Sequence, residues 1–242
     1  MYGHNLCPFV ARARFAFACK EVPFQEVLVC LNNKGQWHKD FNGGMVPVLE
    51  LPTGDLLPES GILMQYAMDA APAGQGIDLI PADPLVAAQM RVKMIQYDKL
   101  WSQYMNPIGM SRFQDMEAVD KLVQEGLPQI EALFPEVGST KWLMGTDELT
   151  LLDIHCGAMY DAAYVKIRAP ANADAAARAD LQNNAPKWWA YVERLRAHPK
   201  IAPVCMIQEL SNKQSERTRG WPEGQKCQLS IDILKGSLPD CP

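Results

Sequence analysis

Between residues 71 and 84 the chain reads Ala71-Pro72-Ala73-Gly74 and then Pro81-Ala82-Asp83-Pro84, with no apolar repeat, which marks a linker. The two sides of it differ in kind. Before it, extended and helical patterns alternate. Phe24 to Cys30 has the β-branched and aromatic content of a mostly buried strand, and Gln36 to Phe41 reads as a short helix broken by Asn42-Gly43-Gly44. Met45 to Leu51 is a strand with Pro47 inside it. That proline removes a ladder donor, so it requires an edge, a bulge or a cis bond at the strand's entrance. Pro52-Thr53-Gly54-Asp55 turns the chain back through Leu56-Leu57, and Glu59-Ser60 opens a helix to about Ala71.

After the linker the pattern is helical: 85–104, 116–134 with a kink at Pro128, 151–167, 186–198 and 201–210, with a loop around a short Ala-rich turn over 168–185. Thr150-Leu151-Leu152-Asp153 is a capping box at the head of the third of these. The spacing predicts an α/β plus all-α protein. Its parts are a β-α-β-α-β-β-α domain over 1–71, a linker over 72–84, a helical domain over 85–210 and a surface tail over 211–242.

Near the N-terminus, Cys7-Pro8-Phe9-Val10 places a thiol where a helix begins, because proline is at home in the first helical turn. Phe9, Val10, Ala13, Phe17 and Cys19 follow at roughly helical spacing, which leaves Arg12, Arg14 and Lys20 to face water. Unpaired N–H groups at a helix N-terminus favour thiolate over thiol, so Cys7 is a candidate nucleophile. Val10 stands where a redox pair would carry its second cysteine. A disulfide formed on Cys7 must therefore be released by an outside thiol such as glutathione.

Composition narrows the partners. Acidic and basic residues are interspersed and the net charge is −5, which gives no footprint for nucleic acid or anionic lipid. No apolar run is long enough to span a bilayer, and no signal pattern leads the chain, so a cytoplasmic location is expected. Seven cysteines without framework spacing point to reduced thiols. His4, His38, His155 and His198 lie far apart and none pairs with a cysteine at zinc-ligand spacing, so no metal is expected.

Cys7-Pro8-Phe9-Val10, Asn33-Lys34 with Trp37, Val46-Pro47-Val48-Leu49-Glu50, Glu59-Ser60 and the Thr150 to Asp153 box, in that order and spacing, resemble a glutathione transferase of the omega class. The resemblance implies a thioredoxin-like domain followed by a helical bundle, with glutathione as co-substrate. It implies Cys7 as the thiol that forms a mixed disulfide with glutathione, and Phe9 among the glutathione-binding residues. Val46, before a cis Pro47, would pair its backbone with the cysteinyl part, Glu59 and Ser60 would hold the γ-glutamyl end, and Lys34 the glycine carboxylate. Taken singly, Glu59 reads equally as a dipole partner, Ser60 as a cap and Lys34 as a solvated loop residue.

For a second substrate, a small electrophile or disulfide, Tyr97, Trp101 and Tyr104 with Met159 or Tyr160 could line an apolar cleft; the same spacing describes a core. The expected activity is a glutathione-dependent thiol transferase or dehydroascorbate reductase, acting as a homodimer. The alternative is a non-catalytic binding or structural subunit of a larger assembly.

Overall fold

The computed structural model describes residues 1–29, 31 and 34–218. Cys30, Asn32 and Asn33, and the tail beyond Thr218, lie outside the described residues, and with them part of the strand, turn and tail expected there. Among the described residues four short strands form one mixed sheet: β1 (Tyr2–Gly3), β2 (Val27–Leu28), β3 (Val48–Glu50) and β4 (Leu56–Pro58), in the order β2-β1-β3-β4. β1 runs parallel to β2 and antiparallel to β3, with Tyr2 opposite Val27 on one side and Val48 on the other; β3 and β4 are antiparallel. β2 is an edge strand of two residues, and Val27 is exposed. Within the span 24–30 expected as a buried strand, the described residues form this short edge strand, and none of 24–29 is buried. β-branched content marks extension, but it does not tell an edge from a centre.

The helices of this layer are α1 (Pro8–Cys19), α2 (Gln36–Asn42) and α3 (Ser60–Ala70). α1 packs on α3 and also on α8 (Leu151–Ile167), the central helix of the second layer. Lying between layers, α1 is buried along most of its length, and the expectation that Arg12, Arg14 and Lys20 face water fails: all three are buried. Each brings its own partner, as a buried cation must. Arg12 donates to the His155 carbonyl at 2.9 Å and pairs with Asp98 at 2.6 Å. Arg14 binds Glu26 and Asn5, and Lys20 donates to the Ile77 carbonyl.

In the second layer α4 (Pro84–Leu100) starts on the Asp83 cap, whose carboxylate accepts from the Leu85 N–H at 2.7 Å. It widens into a π turn at Trp101–Met105 before α5 (Asn106–Met110). Likewise α6 (Met116–Lys121) widens at Leu122–Gly126 before α7 (Leu127–Glu131). Pro107 and Pro128 sit just past these wide turns, at the start of the next helical segment, where a ring lacking an N–H is tolerated.

Residues 168–185 are helical where a loop was expected. A 3-10 turn (Pro170–Asn172) leads into α9 (Ala173–Ala179) and α10 (Leu181–Asn184), split by Asp180 at φ 39. Alanine propensity carries the stretch into helix. α11 (Pro186–Ala197) matches expectation. The helix expected over 201–210 is instead a turn at Ala202–Val204, where Pro203 intervenes, and then α12 (Gln208–Thr218). Among the described residues no helix is long and apolar enough to cross a membrane, and no His/Cys/Asp/Glu group is placed to hold a metal ion.

Candidate active site

The sheet topology gathers the site. β1 ends toward Cys7, and its pairing with β3 puts that end beside the start of β3, at Val46-Pro47. β4 is antiparallel to β3, with Pro58 opposite Val48, so the chain leaves β4 into Glu59-Ser60 at the same end. β2, parallel to β1, also leaves there toward Lys34. Cys7, Lys34, Val46, Pro47, Glu59 and Ser60 thus lie along one end of the sheet, and the half-exposed ring of Phe9 stands in the first turn of α1.

Cys7 is the N-cap of α1, with φ −88 and ψ 119, and Pro8 follows at the first helical position. Its thiol makes no capping hydrogen bond, but the nearby N–H groups of Val10 and Phe9 and the positive charges of Lys166 and Arg14 all favour thiolate. Burial outweighs all of these and pushes the thiol up. Burial thus works against the thiolate that the helix end alone favours. Burial raises the other described cysteines as well, Cys19 and Cys205 to about 12 and Cys156 well above the usual range. Cys7 is the one among them whose burial is opposed by backbone N–H donors.

The Val46-Pro47 peptide is cis. The loop before it is held from α2: His38 Nε2 and Asn42 Nδ2 lie 2.7 and 3.0 Å from the Met45 carbonyl oxygen, and the Asn42 side-chain oxygen accepts from Met45 N–H. Gly44, at φ 75, carries no side chain where the Lys34 stem crosses; a Cβ there would meet Lys34 Cδ at 2.5 Å. His38 escaped the sequence reading. Its signal was a lone buried histidine one turn ahead of a Gly-Gly break.

Ser60 is buried at the first position of α3, and Glu59, exposed, holds φ 74, a sparsely populated conformation for a residue with a Cβ. First-turn N–H groups and a serine hydroxyl at a helix start are donors of the kind that receive anions, and a carboxylate accepts from an ammonium.

The second-substrate residues separate. Tyr97, Trp101, Met159 and Tyr160 do come together, with Arg12, Asp98 and Cys156, but around a cavity of about 10 Å³, room for one water. Tyr97 and Tyr160 are packed edge to face, their rings 5.9 Å apart. Tyr104 lies elsewhere, its hydroxyl accepting from Gln103 and Gln129. Tyr97, Met159 and Tyr160 are buried there, and Trp101 is half-buried beside them.

Residues 6–70 match the family "Glutathione S-transferase, N-terminal domain". Glutathione S-transferase omega-1 of Mus musculus is 25% identical over 154 residues, 63% of this chain and 62% of that protein, so the match spans under two thirds of that relative's length. The fold is shared with glutathione transferase Omega 3C from Trametes versicolor, at TM-score 0.66, 21% identity and 91% of each chain. It is also shared with rice GST1 (OsGSTU1), solved in complex with glutathione, at TM-score 0.69, 20% identity, 89% of this chain and 93% of that one. Residues 6–70 thus match a glutathione S-transferase N-terminal domain, and the chain is similar in sequence to omega-class glutathione transferases and shares their fold.

Proposed function

We propose that the chain is a glutathione-dependent thiol transferase, of dehydroascorbate-reductase type, with Cys7 as nucleophile. The observation that carries this is the Cys7 thiol at the N-cap of α1, directly ahead of Pro8, at the sheet end where the Val46 backbone and the start of α3 also lie. In this reading Val46 pairs its backbone with the cysteinyl part of glutathione, Glu59 and Ser60 hold the γ-glutamyl end, and Lys34 meets the glycine carboxylate. Sulfur attacks a glutathionyl disulfide or another small electrophile. With Val10 in place of a second cysteine, a further glutathione completes the release.

A non-catalytic binding or structural role is the second reading, favoured by the burial that raises the Cys7 thiol. Oxidised glutathione followed by peptide-mapped mass spectrometry separates the two. The first expects one dithiothreitol-reversible adduct on Cys7, lost in Cys7→Ser, while retention on glutathione-agarose persists. Retention without any adduct supports the second, and an adduct elsewhere removes the first.

The chain also acts, in this proposal, as a homodimer. Ile62 on α3 and Leu85, Val92 and Ile95 on α4 are exposed apolar residues, the last three on one helical face. Light scattering at micromolar protein that returns the monomer mass removes it.

A further inference from the structure

The peptide that joins Met45 to Val46 is held from the side of α2. Its carbonyl oxygen receives two donors from that helix, His38 Nε2 at 2.7 Å and Asn42 Nδ2 at 3.0 Å, as its two lone pairs allow. Of the two, His38 is the closer and the more enclosed. Its imidazole is 1% exposed and lies flat on Trp37, the ring centroids 5.0 Å apart and the planes 19° from parallel, while Trp37 meets the Tyr2 ring edge to face. Nε2 faces a carbonyl oxygen, which can only accept, so Nε2 carries the ring proton. Nδ1 is buried and has no partner among the described residues, so the bond to Met45 is the imidazole's single hydrogen bond there. The backbone of the same residue holds the turn again, its carbonyl accepting from the Gly44 N–H at 2.9 Å.

A peptide unit is planar. Met45–Val46 is trans, so its carbonyl and its N–H point in opposite directions, and whatever fixes the one aims the other. With the Met45 oxygen turned toward α2, the Val46 N–H is turned away from it. The N–H groups of Gly43, Gly44 and Met45 are all used, by the carbonyls of Lys39 and His38 and by the Asn42 side-chain oxygen. The Val46 N–H has no acceptor among the described residues, although Val46 is half-buried. The turn thus leaves one donor open, and it is the one that α2 aims.

We propose that His38 is a positioning residue of the glutathione site: its bond from Nε2 to the Met45 carbonyl turns the Val46 N–H outward, toward the cysteinyl part of glutathione. The imidazole touches no ligand and acts only through the peptide plane. The inference rests on the glutathione reading for its ligand, but the clamp itself is measured without one.

The test uses the full chain. In the ligand-free protein, nitrogen NMR of the imidazole is expected to show the proton on Nε2. Hydrogen exchange of the Gly44 and Met45 amides should quicken about tenfold in His38→Leu and return toward wild type in His38→Gln, whose side-chain amide can donate from where Nε2 stands. Titration with glutathione should give binding about tenfold weaker in His38→Leu and within about twofold of wild type in His38→Gln. His38→Met is the second donor-free variant should leucine fail to fold. A ring proton on Nδ1, exchange or glutathione affinity that leucine leaves unchanged, or affinity lost equally in Leu and Gln overturns the proposal. Wild type that binds no glutathione, with the Nε2 proton and the quickened exchange both present, removes the glutathione reading and upholds the clamp.

Discussion

Two helix N-termini meet the same problem in this molecule and solve it oppositely. α8 closes its own. The Asp153 carboxylate accepts from the Thr150 N–H and hydroxyl, each at 2.8 Å, from the Leu143 N–H at 3.0 Å and from the Tyr191 hydroxyl at 2.8 Å. α1 ends on a cysteine, a weak acceptor, and its first donors have no side-chain cap. Burial pushes both acids up, Asp153 despite its four donors and Cys7 despite two N–H groups and Lys166. A helix end satisfied by its own side chains is architecture. One left with a poor acceptor remains available to a ligand or a reaction.

The largest effect that sharpens this contrast is at the closed end. Asp153→Ala strands a buried N–H pair and a buried tyrosine hydroxyl and should cost about 3 to 5 kcal/mol in urea unfolding, with Cys7 thiolate absorbance unchanged in the folded fraction. Unaltered unfolding with altered thiol chemistry breaks the comparison.

At the open end, His4 makes stability depend on pH. Its folded value, about 4, lies below the ordinary 6.5, so the unfolded chain binds the proton more readily. Its contribution is complete above pH 6.5 and is lost as pH falls toward 4, about 3 kcal/mol in all. His4→Asn, which keeps an acceptor for Leu6, should flatten urea midpoints between pH 7 and 4; an equally steep profile assigns the dependence elsewhere.

Smaller effects follow at the caps themselves. Thr150→Val should cost about 0.5 to 2 kcal/mol. Cys7→Ser should leave stability unchanged or raise it by up to about 1 kcal/mol, since serine is a far better N-cap, while removing the thiol chemistry. A clear loss in thermal melting of Cys7→Ser would mean the cysteine is kept for packing.

Helix α8 could be read from its capping box and unbroken apolar content, and α1 from Pro8, because caps and proline act within one turn of chain. The cis bond at Val46-Pro47 was among the few options a proline at a strand's entrance leaves open. Sequence alone thus determined the two layers, their order and the thiol at a helix start, all consequences of local chemistry. It could not place Arg12, Arg14 and Lys20 inside, since a helix covered from two layers looks amphipathic until the second is known. Nor could it set the ionisation of Cys7. That depends on how deeply the thiol is buried and on a lysine 159 positions away in the chain, and only the packing of α1 on α8 brings the two into one electrostatic field.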